Sequence, residues 1–597
     1  MIIESLKPPH PIALTENFLV KNMVRKNSIF LVALLTALTL TATLAPTALA
    51  KNAKPPPPQY NGPPISGLLA AAADFSSETP GIGTADKATC TDGTDLGGGN
   101  IRINCDSINL PHNEVTIAVD PANANHIVAG SNDYELFFQG NTAVQRVIAG
   151  YYTSFDAGKT WINGHINPDG FTFNGDPAVA FNTKLGLVHY GTINSNGGQG
   201  GGFATASILL SSSSDGGKTF GFPKVVALGT GSSRNVLFND KPYITVDNNP
   251  GSTFYGRLYV TWTHFTFDQF GRYISSPIFL SFSDDGGQTF SAGKEISGTS
   301  SALCANPGNS FNTNICNENQ FSTPVVGPDG TLYISYENDE FQGPQTGFRD
   351  QYLVVRSTNG GASFAGPFQA VWPIFDGFND YPINVDGRQT LTNSQFRVNS
   401  AGNLAVDPSS GPGHGSTVLY ISFSDNRKGV TACASPCSFS TVSTDTDVFV
   451  ASSPNGGSSW TIPVGVATGS ASTNDQFYPW AAVGPGHVLR VAYKDRSYDP
   501  ANVKYGETLA TSTNGGASFS TARVDTGLSD PNNSRWFTNG GTTNGKTTFL
   551  GDYENLAVGS DGVSHPIWTD MRTSQFPSPP PGRGNNTQDA VTASVPS

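Results

Sequence analysis

Three arginines that each follow an aspartate by one or two residues are the part of this sequence best suited to binding an anion. The planar guanidinium group donates two parallel hydrogen bonds to a carboxylate, so three such groups in one place would hold an acidic ligand. The alternative is that each arginine pairs with the neighbouring aspartate and fixes a loop, and the built-in partners favour this alternative. The three segments are Asp425-Asn-Arg427, Asp495-Arg496 and Asp570-Met-Arg572.

Carboxylates along the chain offer a second kind of chemistry, because most glycoside hydrolases use two Asp or Glu side chains. A distinctive segment, Asn239-Asp240-Lys241-Pro242-Tyr243, holds one of them, and we interpret its Asp-Lys pair as a surface ion pair. Trp480 and Trp536 could stack on sugar rings. Trp262 and Trp568 are expected in the core. The candidate carboxylates are Asp133, Asp240, Asp425, Asp495 and Asp570.

The strands that would position these groups form a repeat of apolar-x-aromatic-x-polar segments. Such alternation is typical of a β-strand whose two faces differ in environment. Each arginine segment lies at the polar end of one copy, so the strand ends are where we expect a functional site. The seven copies begin at Val128, Val188, Val260, Ile334, Ile421, Val491 and Ile567.

A second repeat, Ser-x-Asp-x-Gly-x-Thr followed by Trp or Phe, is the motif called the Asp box. Its Asp or Asn accepts hydrogen bonds from the backbone of a tight turn, so the motif predicts hairpins rather than catalytic groups. The glycine two residues before the Thr or Ser is predicted to have a positive φ. The six copies are residues 154–161, 213–220, 283–290, 357–364, 453–460 and 512–519.

The two repeats together predict an all-β fold, an Asp-box β-propeller with seven blades. Each of the first six repeat strands precedes an Asp box, and the seventh is followed by Asp589 to Val595, which looks like the third strand of a last blade. The fourth strand of that blade would come from residues 101–110, an N-terminal strand that closes the ring. Six blades are the alternative, if the first or last repeat is a cap.

The bulk composition argues against several classes of function. The chain has 597 residues and a net charge of −13, which disfavours nucleic acid or an anionic membrane as the main partner. The sequence contains no P-loop, dinucleotide fingerprint, HExxH or GxSxG motif. No cofactor is expected. A structural Ca²⁺ bound by loop Asp and Asn side chains is the alternative, although the sequence shows no EF-hand spacing. We expect a monomer.

The first hundred residues are interpreted as an export signal and a tether. Arg25 and Lys26 precede an apolar stretch, and Ala48-Leu49-Ala50 fits a signal-peptide cleavage site. Met23 is an alternative start. Cleavage would yield a secreted, extracellular or periplasmic protein without stable membrane insertion. The predicted segments are 1–50 (signal peptide), 51–100 (a Pro- and Gly-rich tether, partly disordered) and 101–597 (the propeller domain).

Six cysteines fall into three close sequence pairs. In an exported protein this spacing predicts local disulfides that hold loops. No pair has a histidine at zinc-ligand spacing, so a metal cluster is set aside. The pairs are Cys90 and Cys105, Cys304 and Cys316, and Cys433 and Cys437.

The Asp boxes and the strand repeat resemble those of the sialidase superfamily over roughly residues 101–597. The resemblance implies a tyrosine nucleophile assisted by a glutamate, an aspartate as acid/base, and three arginines that bind the substrate carboxylate. On this chain it points to Tyr553 in GDYENLAV as nucleophile, Glu114 as its helper and Asp133 as acid/base. It assigns substrate binding to Arg427, Arg496 and Arg572.

The sequence departs from the family pattern before the first Asp box. The family's Arg-Ile-Pro signature is absent, and Arg102-Ile103-Asn104 lacks the proline. Glu554 cannot assist Tyr553 on a strand, since adjacent side chains face opposite sides, which leaves Glu337 as the alternative to Glu114. Tyr553 as a packed, hydrogen-bonded core residue is the alternative to a catalytic role.

The resemblance implies a secreted, glycan-active propeller whose partner is a glycan or glycoconjugate, most specifically a sialidase-like exo-glycosidase. A non-catalytic propeller that binds carbohydrate or protein is the first alternative, since the fold alone does not determine function. An endo-acting polysaccharide hydrolase that uses two carboxylates across an open groove is the second alternative.

Overall fold

The regular elements of the chain are β-strands, and the all-β class is confirmed. One 3-10 turn at Pro485–His487 is the exception among the described residues. Within the described ranges, no helix is long and apolar enough to cross a bilayer. A computed structural model describes residues 93–104, 110–139, 142–171, 173–196, 205–231, 235–304, 314–339, 350–376, 380–385, 388–411, 416–430, 442–467, 473–534, 546–572 and 585–597.

Several predictions from the sequence fall outside these ranges. They concern the signal peptide, residues 51–92 of the tether, Trp536, and the cysteines Cys90, Cys105, Cys433 and Cys437. Cys304 and Cys316 are described and form a disulfide with a Cα–Cα distance of 5.2 Å, which confirms that pair.

The first half of the chain forms two short strands followed by three groups of strands, which we call units 1 to 3. The short strands are β1 (Thr94–Asp95) and β2 (Asn100–Arg102). Unit 1 is β3 (His112–Asp120), β4 (Asn123–Gln139), β5 (Thr142–Ser154) and β6 (Ile162–His165). Unit 2 is β7 (Phe173–Asn182), β8 (Leu187–Ser195), β9 (Ala206–Ser213) and β10 (Lys224–Ala227). Unit 3 is β11 (Asn235–Val246), β12 (Leu258–Asp268), β13 (Tyr273–Ser275), β14 (Ile278–Ser283) and β15 (Lys294–Glu295).

The second half of the chain forms units 4 to 7. Unit 4 is β16 (Asn319–Val326), β17 (Leu332–Asn338), β18 (Asp350–Ser357) and β19 (Ala365–Ile374), and it is followed by a separate pair, β20 (Ile383–Val385) and β21 (Arg388–Gln389). Unit 5 is β22 (Leu404–Val406), β23 (Leu419–Asp425), β24 (Asp447–Ser453) and β25 (Val464–Gly465). Unit 6 is β26 (Gln476–Gly484), β27 (Val488–Asp495), β28 (Gly506–Ser512) and β29 (Ser520–Arg523). Unit 7 starts with β30 (Asn555–Val558), β31 (Ser564–Asp570) and β32 (Asp589–Ala593).

Each unit is an antiparallel sheet in which consecutive strands pair, apart from the short β13, which pairs only with β12. The seven repeat strands of the sequence are confirmed as strands, and each is the second of its unit: β4, β8, β12, β17, β23, β27 and β31. The N-terminal strand pairs where the sequence predicts, because β2 lies antiparallel to β32 with Asn100 opposite Ala593. Residues 93–100, assigned to the tether, therefore contribute β1 and the start of β2 to the sheet of unit 7.

The first strands of the units contact one another in chain order, and β30 of unit 7 contacts β3 of unit 1. One cavity is lined by the first strands of units 2 to 6. Apolar cores lie between consecutive units, and one core joins Ile117 and Ile127 of unit 1 to Ile567 and Ala590 of unit 7. Trp262 and Trp568 are each 1% exposed, as the core assignment predicts.

The Asp boxes connect the last two strands of each of units 1 to 6. In the box of unit 3, Ser283 Oγ accepts a hydrogen bond from Gly287 N (2.9 Å) and Asp285 Oδ1 accepts one from Thr289 N (2.9 Å). Asp285 Oδ2 accepts a third from Thr289 Oγ1 (2.6 Å). The predicted positive φ is confirmed, since it lies between 76° and 89° at Gly158, Gly217, Gly287, Gly361, Gly457 and Gly516.

The Asn boxes show that an amide can replace the carboxylate in this turn. Asn359 Oδ1 accepts from Ser363 N (2.9 Å) and its Nδ2 donates to Ser363 Oγ (2.8 Å). We therefore expect Asp285→Asn to leave stability nearly unchanged, whereas Asp285→Ala lowers the free energy of unfolding by about 1 kcal/mol. Chemical denaturation of both variants checks this. Equal losses in the two variants would contradict it.

Candidate functional site

The first strands of five units share an unusual backbone feature. Each has a β-bulge, where the register of pairing with the second strand shifts. A non-glycine residue in each bulge has a φ between 48° and 57°, a conformation that costs about 1–3 kcal/mol per residue. Such strain is often concentrated at functional sites. The residues are Glu114, Asp176, Lys241, Phe321 and Tyr478.

Three carboxyl groups converge on one ammonium at these bulges. Lys241 Nζ lies 2.8 Å from Glu114 Oε1 and 3.2 Å from Asp176 Oδ2. It also lies 2.8 Å from Oδ2 of Asp552, which immediately precedes Tyr553. Arg397 donates to the other oxygen of Asp552 through Nε (2.7 Å). We call these five buried residues the Lys241 cluster.

The charges of the Lys241 cluster balance only if one carboxyl group is protonated, because three carboxyls face two cations. Burial, followed by repulsion from Asp176, raises the pKa of Glu114 well above its usual value. Burial would also raise the pKa of Asp552, but Arg397 and Lys241 hold it well below its usual value. Burial therefore favours the neutral form of Glu114, and the two cations favour the ionised form of Asp552. The two carboxyl groups differ in the way that acid/base pairs in enzymes do.

Tyr553 lies beside this cluster at the wall of a small pocket. Lys241 Nζ is 4.9 Å from the centre of the Tyr553 ring. Burial, followed by the carboxyl groups of Glu114 and Asp176, raises the pKa of the Tyr553 hydroxyl well above its usual value. The hydroxyl is therefore a neutral donor at pH 7.

The pocket is small and partly open to solvent, and it is walled mainly by aromatic and small side chains. The rings of Tyr243 and Trp480 lie 5.4 Å apart in its wall, and Lys241 forms part of its floor. An aromatic wall next to a few polar groups suits a sugar ring, which presents apolar faces and hydroxyl edges. The lining residues are Lys241, Pro242, Tyr243, Phe321, Ser322, Thr323, Ala401, Gly402, Trp480 and Tyr553.

Two of the three candidate catalytic residues meet here and the third does not. Glu114 and Tyr553 both contact Lys241. Asp133 is held instead between His112 Nε2 (3.1 Å) and His165 Nε2 (2.6 Å). Its neighbour on the strand faces the cluster, because Asn132 Nδ2 donates to Glu114 Oε2 (2.7 Å).

The three candidate substrate-binding arginines are each bound by a different set of partners. Arg427 donates to its neighbour Asp425 through Nε (2.8 Å) and Nη2 (2.7 Å). Arg572 forms an ion pair with Asp570 at 3.0 Å. Arg496 is fully buried, and its ion-pair partner is Asp475, at 3.2 Å, rather than Asp495. These contacts hold loops in place, which is the alternative role that the sequence predicts for the three arginines.

Four members of the Lys241 cluster were not identified from the sequence as site residues: Asp176, Lys241, Arg397 and Asp552. The interpretation of Asp240-Lys241 as a surface ion pair was wrong, because both residues are buried and Lys241 pairs with other carboxylates. The sequence does contain a pattern that marks three of the positive-φ positions. In DPAVAF, KPYITV and YPWAAV, the residue directly before the proline has the positive φ, and an apolar stretch follows it.

Comparisons with known proteins give likenesses of structure only. No protein-family model matches the chain, and no curated protein matches it. The Hadza microbial sialidase Hz136 is similar at 11% identity and a TM-score of 0.38, covering 85% of this chain and 94% of that one. The GH93 alpha-L-arabinofuranosidase of Fusarium graminearum in complex with arabinobiose is similar at 13% identity and a TM-score of 0.38, covering 83% and 97%. A protein of unknown function from Dyadobacter fermentans is similar at 10% identity and a TM-score of 0.38, covering 72% and 96%.

The opposite charge states of Glu114 and Asp552 make a prediction about stability at pH 7. Glu114→Gln should cost less than about 1 kcal/mol, since it replaces a neutral group by a neutral one. Asp552→Asn should cost about 3–5 kcal/mol, because it leaves Arg397 without its buried counter-charge. Chemical denaturation measures both, with Asp561→Asn at an exposed site as control. A loss from Glu114→Gln as large as that from Asp552→Asn would mean that Glu114 is ionised.

Proposed function

We propose that the seven units are the blades of a seven-bladed β-propeller, closed by the N-terminal strand β2. The cyclic contacts of the first strands support this, since each contacts the next and the last contacts the first. The core between units 7 and 1 supports it as well, because a cap would leave that face without a partner. The six-bladed alternative has no such observation in its favour.

We further propose that the protein is a glycan-active propeller, specifically a glycoside hydrolase that acts at the pocket over Lys241. The observation that carries the proposal is a pair of buried carboxyl groups, Glu114 and Asp176, which both bind Lys241 at a pocket with an aromatic wall. Burial raises the pKa of Glu114 well above its usual value, which favours the protonated form. Glycoside hydrolysis needs a protonated carboxyl group to assist the leaving oxygen and a second group to stabilise or attack the sugar. The small size of the pocket favours removal of a terminal sugar over cleavage within a polymer.

Tyr553 is the group that meets the substrate in this proposal. In the sialidase-like version the Tyr553 oxygen bonds to the anomeric carbon while the bond to the leaving oxygen breaks. The ionised member of the Glu114–Asp176 pair takes up the phenol proton, and the protonated member gives its proton to the leaving oxygen. That version also needs a cation for the sugar carboxylate. Lys241 is the cation at the pocket floor, and its charge is already compensated by the carboxylates of Asp176 and Asp552, so a neutral sugar fits this site better than sialic acid.

A non-catalytic glycan-binding propeller is the second candidate. The observation in its favour is burial, because Glu114 and Asp176 are both 0% exposed and only Lys241 and Tyr553 of this group line the pocket. In this version the Lys241 cluster only holds the strand ends together, and the aromatic wall binds a sugar without cleaving it.

Export of the protein is part of the proposal. The Cys304–Cys316 disulfide supports it, because disulfides persist in oxidising compartments outside the cytosol. The predicted signal peptide points the same way. An exported propeller would meet its glycan outside the cytoplasm.

The activity is tested with a panel of fluorogenic glycosides that includes a sialoside and neutral pentosides and hexosides. We expect turnover of a neutral glycoside, with Tyr553→Phe and Glu114→Gln lowering kcat/KM by about 10²–10⁴-fold. The matched control is Tyr498→Phe. It removes a hydroxyl that is bonded to Thr508, at a residue that does not line the pocket. Glycan binding without turnover of any glycoside would favour the second candidate. Neither binding nor turnover would overturn both.

Closure of the ring by β2 makes a separate prediction. A chain that starts at residue 105 lacks β2 and Ile103, so the edge of β32 loses its partner and the core between units 7 and 1 loses a buried side chain. We expect its Tm to fall by more than about 5 °C relative to a chain that starts at residue 93 and keeps both short strands. Equal Tm values would contradict closure by this strand.

A further inference from the structure

A second group of buried carboxylates lies in unit 4, apart from the Lys241 cluster. Glu337 is near the end of β17, Asp350 begins β18, and Asp376 follows β19. One carboxylate oxygen from each lies within 4.8 Å of the other two, and the residues are 3%, 7% and 6% exposed. We call these three residues the Glu337 cluster.

The Glu337 cluster differs from the Lys241 cluster in having no protein cation. No lysine, arginine or histidine among the described residues forms an ion pair with any of its three carboxyls. Two further acidic side chains, Asp339 and Asp380, are close enough to act on Asp350 electrostatically. Buried carboxylates are normally paired with a cation or bound to a metal, because desolvation of an uncompensated charge is very costly.

Two oxygen atoms of the cluster are buried without a hydrogen-bond partner, Glu337 Oε2 and Asp376 Oδ1. The remaining oxygens of these two residues are satisfied by one residue. Ser400 Oγ donates to Glu337 Oε1, and Ser400 N donates to Asp376 Oδ2 (2.7 Å). Each carboxyl group is thus held in place by one oxygen while the other remains available. Pre-positioned, buried acceptors of this kind are what a cation site requires.

We propose that Glu337, Asp350 and Asp376 bind a divalent cation, and that the ion is Ca²⁺. Carboxylate oxygens are ligands for hard cations such as Ca²⁺ and Mg²⁺. Three protein carboxylates at one buried point favour Ca²⁺, because Mg²⁺ keeps several waters and is usually bound by only one or two carboxylates. Water and nearby oxygens complete the coordination.

The proposed ion site is linked to the pocket through the residues after Ser400. Ala401 and Gly402 line the pocket, and Asn399 Nδ2 donates to the backbone oxygen of Asp552 (3.2 Å). A bound ion fixes Glu337 and Asp376, which in turn fix Ser400 and hence this wall of the pocket. The link to activity rests on the proposed function, whereas ion binding does not.

Ion binding is tested on the full chain after EDTA treatment, by titration with CaCl₂, MgCl₂ and TbCl₃. Tyr352 and Tyr381 interact electrostatically with Glu337 and Asp376, so they are close enough to sensitise Tb³⁺ luminescence. We expect one saturable Ca²⁺ site per chain that displaces Tb³⁺ and at least tenfold weaker Mg²⁺ binding. Glu337→Gln and Asp376→Asn should each weaken Ca²⁺ binding at least tenfold. Asp447→Asn, which neutralises a buried carboxylate paired with Lys428, is the control and should bind like the wild type.

A melting experiment distinguishes loss of the ion from loss of the fold. Ca²⁺ should raise the Tm of the wild type and of Asp447→Asn, but leave the Tm of Asp376→Asn and Glu337→Gln unchanged. In EDTA these two variants should melt at or above the wild type, because they remove charge repulsion. The absence of saturable binding by the wild type, or binding unchanged in both cluster variants, would overturn the site. Mg²⁺ binding as tight as Ca²⁺ binding would overturn the choice of ion. All of these readouts are independent of glycoside turnover.

Discussion

The balance of buried charge around Lys241 is the constraint on which the centre of this molecule depends. A lysine that is only 5% exposed is tolerated because three carboxyl groups surround it. Those groups come from units 1, 2 and 7, while Lys241 comes from unit 3. The cluster therefore requires sequence-distant strands to meet within hydrogen-bonding distance. The positive-φ bulges allow this, since they turn these side chains towards a common point at a cost in backbone strain.

Stability and chemistry are separated along each unit. The Asp boxes lie between the last two strands of each of units 1 to 6 and bond to their own turns, and apolar cores fill the space between units. The polar ends of the first strands carry the charged groups instead. Because the boxes and cores carry the fold, the strand ends are free to vary in residue type, from Glu114 to Phe321 to Tyr478. This explains why the Asp boxes define the architecture and contribute nothing to the pocket.

The sequence predicted the local and periodic features well. Periodic strands, turn glycines and the pairing of an N-terminal strand with β32 follow from short-range patterns that can be read without coordinates. Glu114 and Tyr553 were proposed as site residues through a family resemblance. Lys241 and Arg397 were missed, because their partners are separated by 127 and 155 residues and no local pattern shows that they meet. Two of the arginine segments looked functional for the opposite reason, since Arg427 and Arg572 form ion pairs with the aspartates beside them in the sequence.

Unit 5 is where the two buried carboxylate clusters act on the same piece of chain. Its first strand, β22, has only three residues, so few ladder hydrogen bonds hold the preceding segment in place. That segment is fixed by polar contacts instead: Arg397 and Asn399 bind Asp552, and Ser400 binds Glu337 and Asp376. The adjacent Ala401 and Gly402 form the pocket wall. Because charged groups rather than sheet pairing hold this wall, its position depends on the protonation and ligation of both clusters. A pocket built this way responds to its ionic surroundings at one wall, while the Tyr243 and Trp480 wall stays fixed by its strands.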